Sequence, residues 1–343
     1  LVSLLREQGH EVRVLALLPK DLRARAKLEQ AGVDVTLLCN RPREILLAAW
    51  RLLRILRRDR PDLLWTSLTR ATMYGGIVGG LCRVPVVSWQ HNAWLKPHRQ
   101  RLLRLTRRLT ALWVADSRTV AEFAADALDI APDRIAIWPL FRACPYAAQA
   151  SACKPGERFR IGSLGRLHAD KNFHHVIEVA ALLQRVRPDL AAWLEFVIGG
   201  DGGERAALQA QIAAAGLSNV RLVGFVDEPE RFLASLHAYL QPSHHEGLCI
   251  AAHEAMRASL PVVASRVGEM QRTVLPGVTG MLCAVGDIPG MAAAIATLAD
   301  DPAAAAAMGA AGRSRVMEFF GERAFRQAGI AAIDRAAALV ESR

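Results

Sequence analysis

Short apolar runs alternate with longer amphipathic stretches along the whole chain. In the first half the runs are Val12–Leu18, Val33–Cys39, Asp62–Leu68, Pro85–Gln90, Ala111–Ala115 and Arg134–Trp138. In the second they are Arg160–Leu164, Leu194–Ile198, Val220–Phe225, Ala238–Gln241, Pro261–Ser265 and Met281–Ala284. Each is short and apolar on both faces, the pattern of parallel strands covered by helices on two sides. Leu1–Gln8 reads as the tail of a helix, which places an expected strand and loop upstream of Leu1. Gly9 and Gly32 punctuate helix ends. From about Gly286 the chain is helical and Ala-rich. Around Cys144–Gly156 the alternation breaks, with Pro145, Pro155 and Gly156 marking a linker. Two successive βα arrays predict an α/β protein of two doubly wound, Rossmann-like domains facing a cleft. The expected boundaries are an N-terminal domain at 1–148, a linker at 149–157, a second domain at 158–318, and a C-terminal helix at 319–343 that can pack back on the first domain.

The length of 343 residues suits two domains, and 52% apolar content with only 6% aromatics suits helix-rich α/β cores. No stretch approaches the roughly 18 uninterrupted apolar residues of a membrane span. Cys39, Cys82, Cys144, Cys153, Cys249 and Cys283 are scattered without a C-x-x-C pair, as expected of small hydrophobes in a reducing, cytoplasmic compartment. The net charge of +10 is uneven: residues 1–150 carry 24 Lys+Arg against 13 Asp+Glu, residues 151–343 carry 19 against 20. A partner attracted by positive charge therefore meets the first half. Two helical stretches there carry arginine on one face: Arg51, Arg54 and Arg58 beside Ile45, Leu52 and Leu56 within 43–58, and Arg101, Arg104 and Arg108 beside Leu102, Leu105 and Leu109 within 98–110. Such helices can lie on anionic lipid at the inner membrane face, or present a solvated surface with the apolar side in the core. Nucleic acid is the poorer partner, because aromatics are sparse near the arginines and no binding motif is present.

In open α/β sheets ligands bind beyond the carboxyl ends of the strands, so the residues after each apolar run carry the candidate chemistry. Gly165-Arg166-Leu167-His168-Ala169-Asp170-Lys171 offers a forked cation and a point charge for phosphate oxygens, or a surface turn with solvated cations. Gly199-Gly200-Asp201-Gly202-Gly203 is glycine-rich enough to admit a ligand, yet Arg205 breaks a dinucleotide-type G-x-G-x-x-G. Gln241-Pro242-Ser243-His244-His245-Glu246-Gly247-Leu248 runs into a helix holding Glu254, expected about two turns in. Glu246 and Glu254 would then stand roughly 10 Å apart, the span from sugar to ribose in a nucleotide sugar. The helix N-terminus between them suits a diphosphate. Val267-Gly268-Glu269 marks another strand end. His91 follows a strand in the first half and is either a site residue or structural. His244, His245 and His253 lack metal-ligand spacing, and no metal is expected there.

Taken together, Gly165-Arg166-Leu167, Lys171-Asn172, Gly200-Asp201-Gly202, Gly224-Phe225-Val226, Pro242-Ser243, Glu246-Gly247, Glu254-Ala255-Met256, Pro261–Ser265 and Gly277-Val278-Thr279-Gly280 resemble the family 4 (group 1) glycosyltransferases of the GT-B class. The first half resembles them more loosely, through Gly9-His10-Glu11-Val12, His91 and Val114-Ala115-Asp116-Ser117. The resemblance implies a retaining transfer of a hexose from a nucleotide diphosphate sugar to a glycan or lipid-linked acceptor, with no metal or other cofactor. Arg166 and Lys171 would bind the diphosphate, Glu254 the ribose and Glu246 the sugar, with His91 reaching in from the acceptor domain. Gly165, Gly200, Asp201, Val226, Gly247, Leu248 and Cys249 are read as substrate-binding with them. No D-x-D is present to hold Mg²⁺ on a diphosphate, which leaves that task to cations and a helix dipole. The chain departs from the family at Glu269, Gln271 and Arg272, and at Trp138-Pro139-Leu140-Phe141 where the first domain usually closes on an Asn-Gly turn. An epimerase, phosphorylase or non-catalytic sugar-nucleotide binder of the same architecture is the rival reading.

Overall fold

A computed structural model of the chain describes residues 1–17, 23–39, 41 and 44–341, with the backbone alone at 23, 24 and 27. The expected ends at Leu18 and Arg43 lie outside the described residues. The chain divides into two compact units, Leu1–Pro139 with Phe325–Arg343, and Leu140–Ala324.

In the first unit, β1 (Val14–Ala16) and β2 (Val35–Leu37) pair parallel. The strands β3 (Leu64–Ser67), β4 (Val86–Gln90), β5 (Leu112–Ala115) and β6 (Ile135–Ile137) form a parallel sheet in sequential order. β4 and β5 are buried along their whole length, as strands covered on both faces must be. The return segment belongs to this unit because the helix Glu322–Glu341 buries Ala332, Ile333 and Ala336 beside Leu4 and Trp138.

The second unit holds one six-stranded parallel sheet built from β7 (Phe159–Leu164), β8 (Leu194–Gly199), β9 (Val220–Gly224), β10 (Ala238–Gln241), β11 (Val262–Ser265) and β12 (Gly280–Cys283). Their order is β12-β11-β10-β7-β8-β9, the doubly wound order, with the direction of winding reversing between β7 and β10. Phe159, Ile161, Phe196, Ile198 and Leu240 form the centre of a core that extends to the helices His174–Val186 and Ile288–Asp300. β9 departs from the expected two-sided burial: Arg221 and Val223 are exposed, because β9 is a sheet edge.

The expected linker at 149–157 corrects to a segment packed on the second unit. Ala143 N–H donates to Phe320 O at 2.7 Å and Ala150 N–H to Ala258 O at 2.7 Å, so the unit changes earlier, between Pro139 and Leu140. In the first unit, Leu103 and not Leu102 or Leu105 supplies the core contact of the helix Pro97–Thr106, whose phase turns those two outward, with Leu105 79% exposed. Leu109, in the turn that follows, packs against Gly76.

The loops after β7 and β8 are zipped to each other: Gly165 N–H donates to Gly199 O and Leu167 N–H to Asp201 O, both at 3.0 Å. A Cβ on Gly200 (φ +134°) would overlap the carbonyl of Gly165, and one on Gly202 (φ +158°) that of Leu167. These glycines are therefore required where backbone meets backbone. Gly200→Ala should cost about 3 kcal/mol in a denaturant titration, since it adds both strain and overlap. A loss below about 0.5 kcal/mol would contradict this packing.

Candidate functional site

The crevice of a doubly wound sheet opens where the winding reverses, here beyond the carboxyl ends of β7 and β10. Lys171 reaches this point from the turn after β7 and Glu246 from the loop after β10. Lys171 Nζ donates to Glu246 Oε1 at 2.6 Å, with the lysine side chain 25% and the glutamate 8% exposed. Arg166 stands exposed on the same loop as Lys171. His244 N–H donates to Asp170 O at 2.9 Å and ties the two loops together.

A chain of side chains fixes the Glu246 carboxylate from below. Tyr239 Oη accepts from Leu164 N–H at 3.1 Å and donates to Gln241 Oε1 at 2.7 Å. Gln241 Nε2 donates to Ser243 Oγ at 2.7 Å, and Ser243 Oγ donates to Glu246 Oε1 at 2.7 Å. Each proton is used once, so the chain has a single direction and ends on the carboxylate. Burial pushes the Tyr239 phenol well above its ordinary range, which keeps it a donor. Burial works to lower the Lys171 ammonium, yet Cys249 and Glu246 outweigh it and hold the group above the usual lysine value. Burial drives the Cys249 thiol itself far up, so Glu246 is the charged partner.

The other expected donor residues gather at the same end of the sheet. Gly165, Gly200 and Asp201 form the zipped loops, where Asp201 Oδ1 accepts from Gly202 N–H at 2.8 Å. Val226, after β9, packs over Gly199. Gly247, Leu248 and Cys249 are buried and lead into the helix Ile250–Arg257. Its N-cap residue Cys249 is left-handed (φ 61°) and gives no side-chain cap, so the first-turn N–H groups lack the usual side-chain acceptor. Glu254 lies just over one turn into this helix, not two, because the helix starts only at Ile250. Burial raises its carboxyl above the ordinary value, while Arg257 works in the opposite direction. Gly268 (φ +57°) permits Glu246 and Gly247 to approach, since a Cβ there would overlap the Gly247 carbonyl. Glu269 N–H donates to that same carbonyl at 2.9 Å.

His91 belongs to the first unit, and there it meets a different set. Its Nε2 lies 2.7 Å from Ser67 Oγ and its Nδ1 3.4 Å from Asp116 Oδ2. His253 is structural: it is fully buried, with Nδ1 2.9 Å from Cys249 O and Nε2 3.0 Å from Thr273 Oγ1. Tyr239, Gln241 and Ser243 escaped the sequence reading as positioning residues. Their signal was present, since Gln241 ends β10 and Ser243 follows it.

Residues 1–141 match the family model described as Glycosyltransferase Family 4, and residues 148–315 the model described as Glycosyl transferases group 1. The chain belongs to the group 1, family 4 glycosyltransferases. Relatives of this chain include the 2-deoxystreptamine glucosyltransferase of Streptomyces kanamyceticus, 36% identical over 132 residues, or 37% of this chain and 33% of that protein. The glycogen synthase of Mycobacterium tuberculosis is 35% identical over 151 residues, covering 43% of this chain and 34% of that protein. The matched stretches thus span about a third of the length of these curated relatives. The structure of Anabaena HepE in complex with UDP-glucose resembles this chain with a TM-score of 0.82 at 21% identity, covering 100% of this chain and 94% of that one. That likeness is one of fold, and the fold is of the GT-B class with Rossmann-like domains.

Burial is the leading cause that lowers His175, His237, His245 and His253 below the ordinary histidine value of 6.5. Between their folded values and about 6.5 the unfolded chain binds more protons, so their stability contribution is full above that pH and declines below it. Glu254 acts with the opposite sign, but as a carboxyl it does so in a more acidic window. A denaturant midpoint at pH 5.5 should therefore fall below that at pH 7.5, and an equal or higher midpoint would contradict these neutral, buried imidazoles.

Proposed function

We propose that this protein transfers a hexose from a nucleotide diphosphate sugar to a hydroxyl of a glycan or lipid-linked acceptor, with retention of configuration and without a metal. The observation that carries the reading is the Lys171–Glu246 pair at the switch point, beside an uncapped helix N-terminus. Diphosphate oxygens would meet Arg166, Lys171 and the first-turn N–H groups of Ile250–Arg257, all of which favour negative charge. The hydrogen bonds from Lys171, Gln241 and Ser243 meet at Glu246 Oε1, and a sugar hydroxyl would meet the carboxylate at Oε2. Glu254, half-buried on the same helix, would take the ribose. As the bond to the sugar breaks, negative charge grows on the departing nucleotide, and preorganised cations stabilise it there. Same-face attack by the acceptor oxygen would retain configuration. HepE is described in complex with UDP-glucose, which makes a uridine nucleotide the first donor to try.

A thermal-shift panel of UDP, GDP and ADP should single out one nucleotide, with a rise in Tm that Lys171→Ala removes. Lys171→Ala should cut donor turnover by at least about 100-fold in a protein that still folds, with a Tm lowered by the loss of the Glu246 partner. Turnover that survives in Lys171→Ala, or that disappears on addition of EDTA, would contradict the assignment. The anomeric configuration of the product, read by proton NMR, tests retention.

The acceptor side suits a lipid surface. The helix Ile45–Asp59 exposes Leu46, Leu47 and Trp50, with the Arg54 guanidinium 4.8 Å from the Trp50 ring centroid, and Leu102, Leu105 and Leu109 are exposed on the other basic segment. Apolar side chains flanked by arginine suit the interface of an anionic bilayer. Among the described residues no helix is long and apolar enough to cross a membrane. Sedimentation with phosphatidylglycerol vesicles should capture the protein at low salt and release it at high salt. No salt-sensitive capture, or equal capture by phosphatidylcholine vesicles, would overturn peripheral binding.

A further inference from the structure

The second unit encloses a cavity of about 210 Å³ at the amino ends of its strands, the end away from Lys171 and Glu246. Phe159, the first residue of β7, and His237, directly before β10, line it with 5.5 Å between their ring centroids. Pro302, Ala306 and Ala310, at helical spacing on Pro302–Phe320, give it an apolar side. That helix lies close, since a Cβ on Gly309 would overlap the Ser259 carbonyl. The volume falls below the roughly 300 Å³ at which pockets for drug-sized ligands begin, so the occupant it suits is small.

His237 is 9% exposed, and its Nδ1 accepts from Arg160 N–H at 2.9 Å. An amide can only donate, so the proton of the neutral ring is on Nε2. Burial, against the pull of Glu157, lowers the imidazole below its ordinary value and keeps it neutral. Among the described residues the Nε2–H meets no acceptor within hydrogen-bond distance: Glu157 Oε1 stands 3.7 Å away. A buried donor left open in this way costs free energy until a ligand or water fills the gap. A hydroxyl fits it, because its oxygen accepts from Nε2–H while its proton goes to Glu157. The carboxylate disfavours an anion, and a metal would need the Nε2 lone pair that the ring proton occupies, although Cys153, Glu157 and His237 lie close enough together to hold one. Nearby, Ser259 is held at φ 65° without being glycine and donates to Gln149 Oε1 at 3.0 Å. That bond orients the amide and leaves its Nε2 hydrogens to donate to a second hydroxyl.

We propose that this cavity binds a single neutral hexose ring, as a carbohydrate site separate from the donor crevice. The hydroxyls of the sugar meet His237, Glu157 and Gln149, and its C–H face lies against Ala306 and Ala310. A sugar ring matches both halves of the lining, with hydroxyls that donate and accept on its rim and an apolar face. The site belongs wholly to the second unit and needs no transfer reaction to be occupied, so it stands independently of the proposed function.

Long-range nitrogen-15 NMR of the histidine-labelled full chain reads the site, the His237 signals being assigned by their loss in His237→Gln. In the free protein the ring proton should stand on Nε2. D-glucose, D-galactose and D-mannose are titrated separately, with glycerol as the open-chain control. One of the hexoses should shift the His237 signals saturably, with a Kd on the order of a few millimolar. Glu157→Gln, at an exposed position, should weaken that binding about 10-fold. Ala310→Leu, an exposed helix position whose added bulk enters the cavity, should abolish it and leave Tm unchanged. UDP should not move these signals, which separates the site from the donor crevice. A ring proton on Nδ1, its replacement by stoichiometric Zn²⁺, or an equal response to glycerol or UDP would overturn the site. So would no response to any of the three hexoses, or a response that survives Ala310→Leu.

Discussion

A carboxylate as enclosed as that of Glu246 stays charged only if the protein supplies hydrogen-bond donors, and the arrangement around the switch point follows from that demand. Lys171 supplies the charge and Ser243 a neutral donor. Ser243 is in turn held by Gln241, and Gln241 by the buried phenol of Tyr239. The last link ties the chain to Leu164 at the end of β7, so the two strands that flank the switch point also fix the geometry of the carboxylate between them. Removing one member of an enclosed pair leaves its partner without compensation, whereas a ligand that brings its own charge can take that member's place. This makes the pair a poor choice for mere stability and a good one for a site that anions enter.

The backbone contributes as much as the side chains. The close approach of the loops after β7 and β8 needs Gly200 and Gly202, and the approach of the β10 and β11 loops needs Gly268. These contacts brace the loops that carry Lys171 and Glu246, which the bond from His244 N–H to Asp170 O ties directly to each other. The first unit uses the same rule on a smaller scale: adjacent strand ends bring Ser67, His91 and Asp116 together, with Trp89 holding the ring.

Much of this was legible in the sequence, for physical reasons that differ by element. Strands buried on both faces announce themselves, and each of the twelve expected runs overlaps an observed strand. The edge position of β9 was hidden because strand order is a long-range property, and only that order exposes Arg221 and Val223. The stretch at 149–157 read as a linker because Pro145, just before it, and Pro155 and Gly156 within it break the periodicity. Its attachment to the second unit depends on partners as distant as Ala258, which local composition does not encode. Leu105 was expected to make apolar contact, but spacing alone did not fix which face of its helix meets the core. Lys171 and Glu246 were found by looking at strand ends, while their direct contact, and that of His91 with Ser67 and Asp116, required the fold.

On the proposed function, the nucleotide sits at the carboxyl end of the second unit's sheet, on the loops that carry Lys171 and Glu246. Hydrogen–deuterium exchange with and without the preferred nucleotide tests that location directly. New protection is expected in peptides spanning 165–171, 199–205 and 243–252. Protection confined instead to the cavity at the opposite end of the strands, lined by Ala150, Cys153, His237 and Ser259, would contradict it.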